Sequence, residues 1–315
     1  MTPDKLTALR ELTADYPALT EVVGAVLTDW PAHVGYLHKS INVRSPAVMA
    51  ATEAAAAAAV RLAEGSLPRF AADYHWTCDQ VREEELFFFR EERYRLSSFA
   101  EALAEVYSNT EYMSRYMNGL LLSNVLWSNH AAIFEMFKNR VIGSLTAPVD
   151  YLEVGPGHGL MVSFAAESDR IRSLEAWDVS EVSLRDTKAA LDKLGIAKPV
   201  TLSRVDILAA APTDRRFGLI VFSEILEHLE QPREALSALR SVIADDGRLF
   251  VNVPLNSPAP DHIFLLSHPD EVREVIESQG FHVESMELYA TQGAAIDRAI
   301  EDRISISAGV VARPR

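Results

Sequence analysis

The chain has one cysteine, Cys78, in 315 residues. A lone thiol excludes an internal disulfide, and no Cys/His spacing matches a zinc finger or a redox pair, so nothing implies an oxidising compartment. Long apolar runs are also missing. Nowhere do about 18 apolar residues follow one another, and the stretch Met1 to Tyr16 alternates charges with single leucines instead of building a signal-peptide core. A cytoplasmic location is expected. Positive charge is scarce: 30 Lys+Arg stand against 45 Asp+Glu, a formal net charge of -15. Such a surface repels phosphate backbones and anionic lipid, which sets nucleic acid and membrane aside as partners and favours a small molecule. Neither half escapes the balance, since residues 1–147 hold 18 acidic and 13 basic side chains and leave 27 and 17 for the rest. Repeats and low-complexity tracts are absent beyond the alanine run Ala54 to Ala59.

What is present suffices for two cores: 48% of residues are apolar and 24% charged, in a length that suits two domains. The periodicity changes near Thr146, Ala147 and Pro148. Residues 1–147 read as an all-helical domain. In it Tyr112, Tyr116, Leu120, Ser123, Trp127, His130, Phe134 and Phe137 recur at steps of three and four, which predicts one long helix from Tyr112 to Val141. Four consecutive apolar residues, Leu86 to Phe89, exceed what one helical face needs and predict a tightly buried segment or an interface. Residues 148–315 alternate short apolar runs with helical stretches: Val149 to Val154, Ser173 to Asp178, Pro199 to Val205, Phe217 to Ser223 and Gly247 to Val253, then His282 to Tyr289 and Ile304 to Ala312. This pattern predicts an α/β fold, a Rossmann-like sheet of seven strands.

The first of these strands ends in Glu153-Val154-Gly155-Pro156-Gly157-His158-Gly159, and a helical stretch begins near Leu160. Three glycines two apart let the backbone turn sharply and approach a bound nucleoside closely. Asp178 ends the second strand, where a carboxylate can accept both ribose hydroxyls, and Asp206 ends the third. A dinucleotide fingerprint would want glycine at position 160, where the chain has Leu160.

Together with Ser223-Glu224-Ile225-Leu226-Glu227-His228-Leu229, these motifs resemble those of class I S-adenosylmethionine-dependent methyltransferases over about half of the chain. The resemblance implies a seven-stranded mixed sheet that binds S-adenosylmethionine, with the helical domain serving as a substrate cap or an oligomerisation element. It implies further that Glu153, Gly155, Gly157 and Gly159 line the methionine part of the cofactor, that Asp178 holds the ribose, that Asp206 and Ile207 meet the adenine, and that Ser223 borders the site. Ala244-Asp245-Asp246-Gly247 stands where the family often has Lys-Pro-Gly-Gly.

Glu224, Glu227 and His228 follow the fourth strand at i, i+3 and i+4, which share a face on a helical turn. His262 follows the fifth strand and can close the group. Two carboxylates and two imidazoles make a candidate nest for a divalent ion such as Mg, Mn, Fe or Zn. The quartet is similar to that of the ubiquinone-biosynthesis O-methyltransferases and the small-RNA 2'-O-methyltransferases. Without a metal, Glu224, His228 and His262 are the candidate catalytic residues, a histidine acting as general base. His158 is expected in solvent between its glycines, and His268 as the cap of a helix from Pro269 to Gln279.

The expected function is methyl transfer to a small acceptor, at oxygen first, with nitrogen or carbon as alternatives. Natural-product tailoring is the setting that analogy suggests, and a homodimer through the helical domain is the expected assembly. A nicotinamide-dependent oxidoreductase and a non-catalytic nucleoside-binding scaffold are the competing readings.

Overall fold

The computed structural model describes residues 3–209 and 214–315. They form two compact units, one made of Met1–Glu135, Asn256–Ile263 and Tyr289–Ser307, the other of Met136–Leu255, Phe264–Leu288 and Ala308–Arg315. The single boundary expected at 147 differs from these units, which divide at 135, the helical one also including two later segments.

The helical unit contains α1 (Pro3–Thr13), α2 (Pro17–Asp29), α3 (Val34–Asn42), α4 (Pro46–Ala63), α5 (Leu67–Glu91), α6 (Phe99–Ala102), α7 (Thr110–Leu126) and α8 (Ser128–Glu135). Helix α4 starts where the Ser45 side chain accepts from Val48 N and Pro46 fixes the first turn, and it stops at Glu64 in the left-handed region. By length and composition it could cross a membrane; half of it is buried inside the protein. Its alanines are the buried face, including Ala51, Ala55, Ala56 and Ala59.

Two expectations for this half need correction. The single helix from Tyr112 to Val141 is broken at Trp127, which is extended at φ -88 and ψ 131 and separates α7 from α8; a π-helical stretch, Met136–Ile142, follows in the other unit. The break is held from afar. The half-buried Arg44 guanidinium donates to the carbonyls of Val125 and Leu126 at 2.8 and 2.9 Å, and the Trp127 indole donates to the Tyr74 hydroxyl at 3.0 Å. These contacts satisfy helix-end carbonyls that would otherwise ask for another turn. Nor is the run Leu86 to Phe89 buried as a block. Phe88 is buried, whereas Leu86 and Phe89 are 64% and 55% exposed, and Phe87 lies under the guanidinium groups of Arg93 and Arg95 at 5.1 and 4.7 Å.

The second unit is built on a sheet of seven strands: β1 (Val149–Val154), β2 (Ile171–Asp178), β3 (Val200–Arg204), β4 (Phe217–Ser223), β5 (Ile243–Leu255), β6 (Phe281–Ala290) and β7 (Ile306–Pro314). Each matches an apolar run read from the sequence. The order is β3-β2-β1-β4-β5-β7-β6, and the pairs from β3 through β5 are parallel. Helices α9 (Leu160–Glu167), α10 (Glu181–Lys193) and α11 (Pro232–Val242) connect successive strands. Strand order reverses between β1 and β4, which opens a crevice beyond their carboxyl ends.

Register decides which side chains share a face. Glu153 pairs with Val221, Val221 with Phe250, and Ser223 with Asn252. Side chains alternate along a strand, so Tyr151, Glu153, Ser223 and Asn252 all lie on one face of the sheet.

Candidate functional site

The turn after β1 owes its path to glycine. Gly155, Gly157 and Gly159 have φ of 69, 52 and 75°, all in the left-handed region. At Gly155 there is a second reason, because a Cβ would sit 2.2 Å from Ile225 Cδ1. The turn is tied down by Gly155 N donating to Trp177 O and by Thr187 Oγ1 donating to Gly157 O, both at 2.8 Å.

Glu153 lies at the base of this turn, 4% exposed. Burial pushes its carboxyl up to about 8, although a hydrogen bond from the Tyr151 hydroxyl to Oε2 at 2.6 Å pulls the other way. Tyr151 itself is fully buried and its phenol is held well above the ordinary range, first by that burial and then by Glu153. A carboxyl kept out of water with one phenol for company is a place for a cationic group.

Asp178 ends β2 as expected. Its Oδ1 accepts from Ser180 N at 2.8 Å and its Oδ2 from Ser183 Oγ at 2.6 Å; burial raises its carboxyl, and these donors oppose the rise. With the Val179 backbone as a third donor, the carboxylate still has an acceptor site left for a ligand hydroxyl. Asp206 is exposed just after β3, with Oδ1 accepting from Leu208 N at 2.9 Å, and its neighbour Ile207 is buried.

At the tip of β4 the geometry differs from the expected helical face. Glu224 adopts φ 53°, and its Oε1 accepts from Asn252 Nδ2 at 2.7 Å while its N–H donates to Asn252 O at 2.8 Å. Asn252 Nδ2 also donates to Ser223 Oγ at 3.1 Å. Leu226–His228 then forms a short 3-10 turn, in which Glu227 is fully buried and His228 Nε2 lies 3.8 Å from Glu227 Oε1. Glu224 is therefore drawn toward β5, because a left-handed residue at the strand end takes it off any shared helical face. Glu227 and His228 remain a pair.

His262 belongs to the helical unit, where Nδ1 donates to Ser257 O at 2.7 Å and the ring lies edge-on to Tyr94 at 5.7 Å. The adjacent Asp261 accepts from the hydroxyls of Tyr107 and Tyr116 at 3.2 and 3.0 Å. Of the expected quartet, Glu224, Glu227 and His228 belong to the sheet unit and His262 to the helical one. His158 is partly buried rather than in solvent, Nδ1 accepts from Leu160 N at 3.4 Å, and burial pulls its imidazole down to about 4. His268 caps α12 (Pro269–Glu277) as expected, accepting from Asp270 N at 3.2 Å.

Two site residues had escaped the sequence reading. Tyr151 looks like an ordinary strand residue, and only its i+2 spacing to Glu153 hints at a contact. Asn252 is two strands from Glu153, and only the register puts it on the same face.

A family model described as a methyltransferase domain matches residues 126–291, more than half of the chain. No curated protein matches the chain. Among solved structures, the [4+2]-cyclase SpnF is similar at 19% identity over 56% of this chain and 79% of its own, with a TM-score of 0.46. A SAM-dependent methyltransferase from Aquifex aeolicus is similar at 16% identity over 56% and 91%, with a TM-score of 0.43. The N-terminal domain of EvdMO1 with SAH bound is similar at 14% identity over 56% and 79%, also at 0.43. The family assignment rests on the family model. That model is of methyltransferase domains in general, and it does not reach the finer likeness to ubiquinone-biosynthesis and small-RNA enzymes expected from Glu224, Glu227, His228 and His262.

Proposed function

The chain belongs to the methyltransferase-domain family and is an S-adenosylmethionine-dependent methyltransferase, and from that premise we propose that its acceptor is a small molecule, methylated at oxygen in preference to nitrogen or carbon. The observation that carries the cofactor's placement is the buried Glu153 carboxyl beneath three left-handed glycines, with Asp178 at the neighbouring strand tip. These residues fit the cofactor: Glu153 suits the ammonium of its methionine part, Asp178 its ribose hydroxyls, and Asp206 with Ile207 its adenine.

When bound, the cofactor supplies a methyl group on a sulfonium. The protein aligns the acceptor in line with it and accepts the acceptor's proton, and alignment accounts for most of the acceleration in a displacement of this kind. His228, held beside Glu227, is the proposed proton acceptor from the sheet unit. Glu224 shapes the β4 tip through its bonds to Asn252. The acidic composition, with no basic excess in either half, supports a small acceptor over a nucleic acid.

Glu227 and His228 of the sheet unit are donor types that a divalent ion takes, and the proposal routes no step through a metal. The homodimer remains a proposal resting on Leu86 and Phe89, and light scattering of the Leu86→Glu variant tests it.

The function is tested by incubating the protein with methyl-labelled S-adenosylmethionine and a panel of small phenols, hydroxy acids and amines. Label in a small product supports the proposal; label only in added RNA or protein overturns it.

A further inference from the structure

Tyr151 is absorbed by neither the fold nor the proposed chemistry. It lies on a central strand at 0% exposure, where an aliphatic side chain would pack without a polar atom to satisfy. Its hydroxyl reaches Glu153 Oε2 at 2.6 Å, and this is the one hydrogen bond that the Glu153 carboxyl makes among the described residues. No arginine or lysine among those residues pairs with Glu153. The surrounding tips carry their own commitments: Asp178 on β2 is tied to Ser180 and Ser183, Glu224 after β4 to Asn252, and Glu175 on β2 points to the opposite face, where it meets Arg215. His158 in the turn is neutral near pH 7.

We propose that Tyr151 is a positioning residue of the cofactor site, fixing one oxygen of Glu153 so that the other meets the cofactor's ammonium, and that binding there releases a proton from Glu153. The inference rests on the cofactor placement proposed above. Burial alone favours the protonated carboxyl, and a cation brought against it favours the carboxylate, so binding and ionisation occur together. The balance is simple: Glu153 loses one proton to solvent, and the carboxylate left behind pairs with the incoming ammonium. Tyr151 keeps its proton and donates to the carboxylate more strongly than to the neutral acid.

The test measures affinity and proton release between pH 5.5 and 7.5 by titration calorimetry, in buffers of different ionisation heat. Three probes are used: S-adenosylmethionine, S-adenosylhomocysteine, and 5'-methylthioadenosine, which lacks the amino-acid part. For the first two, affinity should rise by up to about tenfold per pH unit, with nearly one proton released; for the third it should be flat. Glu153→Gln should flatten all three. Tyr151→Phe should keep the slope while weakening the two amino-acid-bearing probes by roughly tenfold or more, leaving methylthioadenosine unchanged. Equal weakening of all three probes would make Tyr151 merely structural, and a flat profile in the wild-type protein would overturn the proton coupling. Failure of every probe to bind at any pH would instead overturn the cofactor placement itself.

Discussion

Asn252 Nδ2 donates to Glu224 Oε1 at 2.7 Å, while Asn252 O accepts from Glu224 N at 2.8 Å. One residue on β5 thus grips both the backbone and the side chain of its neighbour at the tip of β4, and holds a glutamate at φ 53°, a conformation that costs about 1–2 kcal/mol outside glycine. Asn252→Leu keeps the branching of the side chain and removes its half of the grip, leaving the backbone bond in place. It should destabilise the protein by about 1–2 kcal/mol in urea unfolding, since the side-chain hydrogen bond to the Glu224 carboxyl is lost. An unchanged midpoint would mean that Glu224 holds its place without Asn252.

The turn after β1 allows a sharper comparison. Gly155→Ala meets both a left-handed φ and Ile225 Cδ1 at 2.2 Å, whereas Gly159→Ala meets only the φ, its nearest contact being Thr187 Cγ2 at 3.5 Å. The first variant should lose more stability than the second, and Ile225→Ala should recover part of that difference in a double-mutant cycle. Equal losses, or no recovery, would contradict the close approach.

Glu153 makes stability depend on pH. Its folded value, pushed up to about 8 by burial, lies above the ordinary 4.5, so the folded protein holds a proton that the unfolded chain has already lost. This contribution is fully present below about pH 4.5 and is lost as pH rises toward 8, by at most roughly 1.4 kcal/mol per pH unit. Denaturant unfolding of Glu153→Gln against wild type should show the difference widening over that window in favour of the variant. Parallel pH curves would contradict a buried neutral carboxyl.

Metal dependence separates the two readings of the β4 tip. With Glu227 and His228 as a proton-accepting pair 3.8 Å apart, turnover should survive dialysis against a strong chelator, and His228→Ala should lower it by about 10²–10⁴-fold with cofactor affinity kept. Loss on dialysis, restored by added Mg, Mn, Fe or Zn, would contradict this account.

All seven strands and the glycine turn were legible in the sequence because both are local signals: β-branched runs bounded by turns, and glycines where φ must be positive. Asp178 was legible for the same reason, as the last residue of a strand. The break at Trp127 was not, because it depends on Arg44, more than eighty residues away, reaching the carbonyls of Val125 and Leu126. The backbone path through Glu224, Glu227 and His228 was not legible, because helical spacing is expected where the chain takes a left-handed step at Glu224 and a short 3-10 turn at Leu226–His228. Tyr151 and Asn252 became visible only through strand register, which no single run of residues encodes.

The most direct measurement is titration of the purified protein with S-adenosylmethionine and, separately, with NAD, repeated on Asp178→Ala. S-adenosylmethionine alone should bind, and the variant should lose about 1.5–3 kcal/mol of affinity while still folding. Binding of NAD, or an affinity indifferent to Asp178, would contradict a nucleoside seated over these strand tips.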